Sequence, residues 1–108
     1  MNRMYYLKKC KNGLTEIDMD TATVDDVLNY ISGLGNTAKV VGVLALLARM
    51  TKYAAAASTI GNVATLVGGS MLVYYFQVQT AAASGRGIVM SILDDGTTAT
   101  PIVSYSSQ

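Results

Sequence analysis

Two acidic pairs are the residues of this sequence whose types and spacing most resemble a reactive site. Carboxylates that converge can act as acid and base or bind a metal ion. Asp25-Asp26 and Asp94-Asp95 are each adjacent in the sequence, however, and adjacent residues on a helix or at a turn point apart. The first pair is therefore predicted to lie at a helix start and the second at a turn.

Metal and nucleophile chemistry lack their usual groups in this sequence. It contains no histidine and a single cysteine, Cys10, so the commonest general base and metal ligand are missing. Glu16, Asp18 and Asp20 alternate as calcium ligands do, but a calcium loop needs further ligands through about twelve residues. We predict no catalytic, cofactor-binding or metal site, and we interpret Cys10 as a small strand residue.

A short basic segment lies near the N-terminus. Lys8, Lys9 and Lys11 stand beside Tyr5 and Tyr6, a combination that could contact nucleic acid or anionic lipid. The net charge is only +1, which gives no general attraction for nucleic acid. We interpret the lysines as the solvated face of a strand, and we expect neither nucleic acid nor a small-molecule substrate as a partner.

The predicted elements form an α+β, helix-dominated fold in one domain of residues 1–108. They are a β-hairpin at 1–20, a short amphipathic helix and glycine turn at 21–35, a helix at 36–52, a long uncharged helix at 53–80, and a β-hairpin at 87–105. The sequence leaves open whether the two hairpins pair within one subunit or between subunits.

The first hairpin is predicted from Asn12-Gly13, because both residues tolerate the positive φ of a two-residue type I′ turn. Folding about this turn places Lys9 opposite Glu16 and Lys8 opposite Ile17. Ile17 and Met19 then share the apolar face of the sheet.

The short helix follows at Thr21–Ser32, with Thr23 as its predicted N-terminal cap. Its apolar residues recur at helical spacing, which predicts one buried stripe formed by Val24, Val27, Leu28 and Ile31. Gly33 and Gly35 are predicted to end it.

A second helix is predicted at Asn36–Lys52, capped by Asn36 or Thr37. Its apolar run between Lys39 and Arg49 is too short to cross about 30 Å of hydrocarbon. Arg49 and Lys52 suit the negative pole at its end.

The longest feature is Tyr53–Gly85, which carries no formal charge. A helix over Tyr53–Gln79 would be roughly 40 Å long, with its apolar core at Ile60–Val78. Small residues recur every four positions and predict a face for close helix packing and oligomerisation. They are Ala57, Gly61, Thr65 and Gly69, with a second row at Ala64 and Gly68.

The last hairpin is predicted from Asp95-Gly96. Folding at this turn places Val89 opposite Ile102. The final strand is predicted to be an edge strand, because Pro101 has no N–H to donate to a neighbouring strand. The polar tail Ser104–Gln108 is predicted to fray.

The composition favours a chain whose surface is partly covered by a membrane or by neighbouring copies. Apolar residues make up 51% and charged residues 14%, against about 25% charged in ordinary globular proteins. The leading hypothesis is a non-catalytic, self-assembling structural subunit, membrane-embedded or helix-packed in a virion, filament or similar array. A membrane-permeabilising pore-former of bacteriocin or holin type is the alternative, and a small soluble binding module is the third.

The membrane version of these hypotheses needs residues at the bilayer interface. Candidates are Lys39, Arg49, Lys52, Tyr74 and Tyr75, because cations and aromatic rings favour the headgroup region. No secretory signal is predicted, since charged and turn residues follow Lys11 where an apolar segment would stand. We therefore expect membrane association or membership of a large assembly.

Overall fold

The two terminal hairpins pair side by side in one sheet. A computed structural model describes the backbone of residues 5–9 and all of residues 13–50, 54–94 and 101–108. The elements in it are β1 (Tyr5–Lys9), β2 (Leu14–Met19), α1 (Thr21–Gly33), β3 (Thr37–Lys39), α2 (Val40–Met50), α3 (Ala54–Val67), β4 (Leu72–Tyr74), α4 (Tyr75–Ala81), β5 (Ile88–Leu93) and β6 (Ile102–Ser107). The large sheet has the order β1-β2-β5-β6, and β3 pairs with β4. Over these ranges the predicted α+β class is confirmed.

The first hairpin differs from its prediction by one residue of register. The observed pairs include Leu7 with Ile17, Lys8 with Glu16 and Lys9 with Thr15. An odd number of residues therefore joins the paired positions, whereas the predicted two-residue turn needs an even number. Gly13 has a φ of +78°, a left-handed conformation that glycine adopts readily in turns. Asn12 lies outside the described residues.

Helix α1 is capped by Asp20 and not by Thr23. The Asp20 carboxylate accepts a hydrogen bond from the backbone N–H of Thr23 at 2.8 Å, as an N-terminal cap does. Thr23 is therefore inside the first turn, where it is fully buried. The predicted apolar stripe is confirmed, since Val24, Val27 and Ile31 are buried and Leu28 packs against them.

The second helix starts later than predicted, because a strand replaces its first turn. Asn36 has a φ of +71°, and Thr37–Lys39 form β3, antiparallel to β4. The ends of this ribbon are closed by hydrogen bonds from Val40 N–H to Met71 O at 2.9 Å and from Tyr75 N–H to Asn36 O at 3.0 Å. Neither Asn36 nor Thr37 therefore caps α2, which begins at Val40.

The long uncharged helix predicted for residues 53–80 is wrong. Helix α3 ends at Val67, and Gly68 follows with a φ of +80°. The Gly68 N–H bonds to Ala64 O at 3.2 Å, so a left-handed glycine closes the helix in the usual way. The chain then enters β4 and begins α4 at Tyr75. At about 1.5 Å per residue, the 14 residues of α3 span roughly 21 Å.

One face of the large sheet and the inner faces of the helices form the core. The sheet contributes Ile17, Met19, Ile88, Met90 and Ile92, and α2 and α3 contribute Val43, Leu44, Leu47, Ile60, Val63 and Val67. Helices α2 and α3 pack against each other. Because α3 buries a single stripe, its other side remains exposed, unlike a helix that is buried all round.

The last hairpin is shifted by four residues from its prediction. Leu93 lies opposite Ile102, and Ile88 lies opposite Ser107. This register turns Val103 and Tyr105 toward the core, against which both pack. The predicted frayed tail is therefore wrong, because Ser104–Ser107 belong to β6. The edge position of this strand is confirmed, and Asp95-Gly96 lie outside the described residues.

Candidate self-association surface

The outer face of the β3–β4 ribbon carries apolar side chains and one cation. The ribbon pairs Thr37 with Tyr74, Ala38 with Val73 and Lys39 with Leu72. The central pair is buried, whereas Lys39, Leu72 and Tyr74 are exposed. Since side chains alternate along a strand, these three exposed residues share one face. We call Leu34, Lys39, Leu72 and Tyr74 the ribbon patch.

Leu34 belongs to this patch because it lines the same groove as Leu72. The groove has a volume of about 490 Å³, and Tyr30, Lys39 and Gly42 also line it. The exposed fractions are 55% for Leu34 and 43% for Leu72, which is high for side chains of this type. In the sequence, the position of Leu34 between the turn glycines Gly33 and Gly35 is consistent with an exposed side chain. It offered none for Leu72, which reaches the patch through its pairing with Lys39.

Helix α4, which follows β4 directly in the sequence, exposes the aromatic ring of Phe76 to solvent. Phe76 is 74% exposed, the largest value among the exposed large apolar side chains of the described residues. The helix is held at its start by Gln77, whose side-chain oxygen accepts from the Tyr74 N–H at 3.0 Å. Phe76 belongs to Ile60–Val78, the predicted apolar core of the long helix, but in the structure it lies on the separate short helix α4.

The row of small residues is shorter than the sequence predicted. Ala57, Gly61 and Thr65 lie on α3, but Gly69 follows the end of the helix. A Cβ added to Gly61 or Gly69 would meet no atom within 4 Å. No described side chain therefore packs against the row at Gly61 or Gly69, and Thr65 is exposed, whereas Ala57 is half-buried.

The second small-residue row has structural roles within the chain. Ala64 packs against the core, and its carbonyl accepts the Gly68 hydrogen bond that ends α3. Gly68 has a positive φ, which explains its residue type. Ala64 and Gly68 thus have roles within the chain, and neither requires a packing helix from another copy.

The predicted membrane-interface residues are divided between separate places. Lys39 and Tyr74 share the ribbon face, whereas Tyr75 packs against the core. Arg49 lies in the last turn of α2, about 14 Å along the helix axis from Val40, the residue that follows Lys39. Lys52 lies outside the described residues. Across the described ranges, none of the helices has the length and apolar character needed to cross a bilayer.

Two buried side-chain oxygens in the described residues lack a hydrogen-bond partner, Asp18 Oδ1 and Tyr105 Oη. Burial raises the pKa of the Tyr105 phenol well above its ordinary value. The two residues belong to β2 and β6, which β5 separates in the sheet. They therefore do not form one reactive site.

The described acidic residues also offer no metal site. Within the ranges that the structure describes, no group of three acidic or cysteine side chains is arranged to hold a metal ion. What the geometry offers is surface for contact: the ribbon patch, Phe76 and the open side of α3. No protein-family model, curated protein or solved structure matches this chain.

Proposed function

We propose that this chain is a non-catalytic, self-assembling structural subunit whose copies associate through the exposed residues of one charge-free stretch of sequence. These residues, called the charge-free surface, lie between 54 and 85, a stretch that contains no charged residue. The charge-free surface includes the open side of α3, the β4 side of the ribbon patch and the outer side of α4. Assembly into a filament, a shell or a similar array is the role that such contacts serve.

The observation that carries the proposal is where the exposed apolar side chains lie. Leu66, Leu72, Tyr74 and Phe76 are large, exposed and all within this charge-free stretch. Removing apolar surface from water gains about 25 cal/mol per Å². The stretch itself contributes no charge that a contact would have to dehydrate, although Lys39 borders Leu72 and Asp94 lines a pocket with Leu66.

The open side of α3 supports a second copy as the partner. Gly61 and Thr65 present little side chain to solvent, so another backbone could approach α3 closely there. Thr65 donates its hydroxyl to Gly61 O at 3.1 Å. Its polar atom is thus satisfied within the helix and would not need water in a contact.

Replacing Gly61 and Gly69 by leucine tests the proposal. Both sites are open, and neither glycine has a positive φ, so the monomer should keep its fold. Sedimentation velocity in buffer and in detergent should show an altered oligomeric state for the double variant. Gly33→Leu is the matched control, because that glycine is also open but lies outside the charge-free stretch.

Two results would overturn the proposal. A double variant that assembles as the wild type does would exclude packing through this face of α3. A wild-type chain that stays monomeric in buffer at all concentrations would exclude self-assembly and favour a small soluble binding module.

A membrane-permeabilising protein is the second candidate, favoured by the ribbon patch. There Lys39 is cross-strand to the exposed Leu72 on the face that also carries Tyr74, a combination suited to an anionic bilayer surface. Dye release from anionic liposomes should follow, and Lys39→Glu should reduce it. A structural subunit should release no dye at modest concentration, so leakage separates the two candidates.

A further inference from the structure

The outer edge of β6 presents backbone groups that no strand of the described chain pairs. The Gln108 N–H donates to Gly87 O at 3.3 Å, so residue 108 faces β5. In an antiparallel ladder, alternate residues bond to the same neighbour. Residues 102, 104 and 106 therefore also face β5, and Val103, Tyr105 and Ser107 direct their N–H and C=O groups outward.

This edge lacks the devices that usually prevent strand-to-strand association. Such devices include charged side chains, especially lysine, and proline within the strand. Strand β6 contains no charged residue, and Pro101 stands before its first residue. The opposite edge of the sheet, β1, carries Lys8 and Lys9 in its sequence. The two edges of the sheet therefore differ in how well they tolerate another strand.

We infer that β6 pairs antiparallel with β6 of a second copy, with Tyr105 of one copy opposite Tyr105 of the other. This inference rests on the proposed function and names a second contact for the same self-assembly. The two four-stranded sheets would become one continuous sheet across a two-fold axis. A two-fold contact requires an antiparallel pair, because each residue must see its counterpart reciprocally.

Centring the pair on Tyr105 uses every outward residue of both strands. Val103 of each copy then lies opposite Ser107 of the other, and about six backbone hydrogen bonds form. On the solvent face, Ser104 of each copy lies directly opposite Ser106 of the other. These cross-strand neighbours are small and neutral, so nothing in the register opposes the approach of an identical strand.

A second contact between copies changes what assembly can produce. One two-fold contact alone yields a closed dimer, whereas a second, different contact on the same chain links such dimers into a larger assembly, which is closed or extended according to how the contacts are oriented. Pairing at β6 together with contact through the charge-free surface would therefore link dimers into a larger assembly, and a filament or a layer is its extended form.

Charge exchange on β6 tests the register. The double variant Ser104→Lys, Ser106→Lys sets lysine against lysine twice across the axis and should weaken pairing at least tenfold. The variant Ser104→Lys, Ser106→Glu sets lysine against glutamate in both places and should restore it. Asn29→Lys, Ser32→Lys is the matched control, because it adds the same charge at exposed polar residues that lie outside both β6 and the 54–85 stretch. Sedimentation equilibrium gives the dissociation constants, and circular dichroism verifies the fold.

Amide hydrogen exchange of the wild-type chain provides the second measurement. The outward amides of Val103, Tyr105 and Ser107 should exchange more slowly as the protein concentration rises. Exchange there that is independent of concentration would overturn the inference, as would wild-type pairing by the double-lysine variant. Protection that appears only after a cell extract is added would mean that another protein occupies the edge, and would also overturn it.

The inference and the proposed function can fail separately. Assembly that responds to Gly61→Leu, Gly69→Leu but not to the β6 charges would refute strand pairing alone. Dimers that respond to the β6 charges but not to the glycine variants would refute the charge-free contact alone.

Discussion

Gly87 lies directly against the backbone carbonyl of Met19, where β5 begins beside the end of β2. Any Cβ at Gly87 would overlap that carbonyl oxygen, and the φ of Gly87 is +90°. The same oxygen accepts a hydrogen bond from the Gln108 side-chain amide at 2.9 Å. The Met19 carbonyl thus contacts the residue before β5 and the residue after β6, and only glycine fits at position 87.

Gly87→Ala is therefore expected to lower the free energy of unfolding by about 2–4 kcal/mol, from backbone strain and overlap together. Gly85→Ala is the matched comparison, because Gly85 has a φ of +75° but no atom within 4 Å of an added Cβ. It should cost only about 1–2 kcal/mol, from backbone strain alone. Urea titrations followed by circular dichroism measure both, and equal losses would contradict the close contact at Gly87.

Asp20→Ala should lower the free energy of unfolding by about 1 kcal/mol, the usual value of an N-terminal cap. The Thr23 N–H would lose the carboxylate that accepts it at 2.8 Å. Asp25→Ala removes an exposed carboxylate one turn later and should change the stability by less than about 0.5 kcal/mol. Thermal unfolding of the two variants checks the difference. A cap at Thr23 would instead be indicated if Asp20→Ala had no effect.

Elements that bury a regular stripe could be predicted from the sequence. The spacing of Val24, Val27 and Ile31 predicts α1, and the alternation of Ile17 and Met19 with charged residues predicts β2. In both elements the pattern is local, because one face of the element meets the core and the other meets water. Local patterns also identified β6 as an edge strand, through Pro101.

Elements that depend on a distant partner could not be predicted. Strand β3 has three residues, too few for a periodic pattern, and it exists because its backbone bonds to β4. The ribbon patch shares this origin, since Lys39 and Leu72 become neighbours only through that pairing. The break after Val67 did have a local signal in Gly68-Gly69-Ser70, which favours a turn. The absence of charge across the stretch predicts one long helix in spite of this signal.

Two glycines of the uncharged stretch should respond in opposite directions to alanine. Gly61 lies inside α3 with open space around it, so Gly61→Ala should raise the free energy of unfolding by about 0.5–1 kcal/mol. Gly68 has a φ of +80°, so Gly68→Ala should lower it by about 1–2 kcal/mol. Urea unfolding at low protein concentration measures both on the monomer. Stabilisation by both variants would mean that the helix continues through Gly68.

The Tyr105 hydroxyl should make the fold sensitive to alkaline pH. Burial raises the pKa of this phenol in the folded chain, while the unfolded chain ionises near a pH of about 10. Above that pH the unfolded state loses its proton first and is favoured, so the free energy of unfolding falls by up to about 1.4 kcal/mol per pH unit. Below it, both states are protonated and this contribution is constant.

Tyr105→Phe should remove that part of the alkaline slope. It should also raise the stability at pH 7 by about 1 kcal/mol, because the hydroxyl is buried without a hydrogen-bond partner among the described residues. Tyr74→Phe is the matched control, since the Tyr74 side chain is exposed, and it should keep the wild-type slope. Urea unfolding between pH 7 and pH 11 gives both quantities. If Tyr105→Phe keeps the full slope, another group is responsible for the alkaline loss, and the burial of this phenol does not govern it.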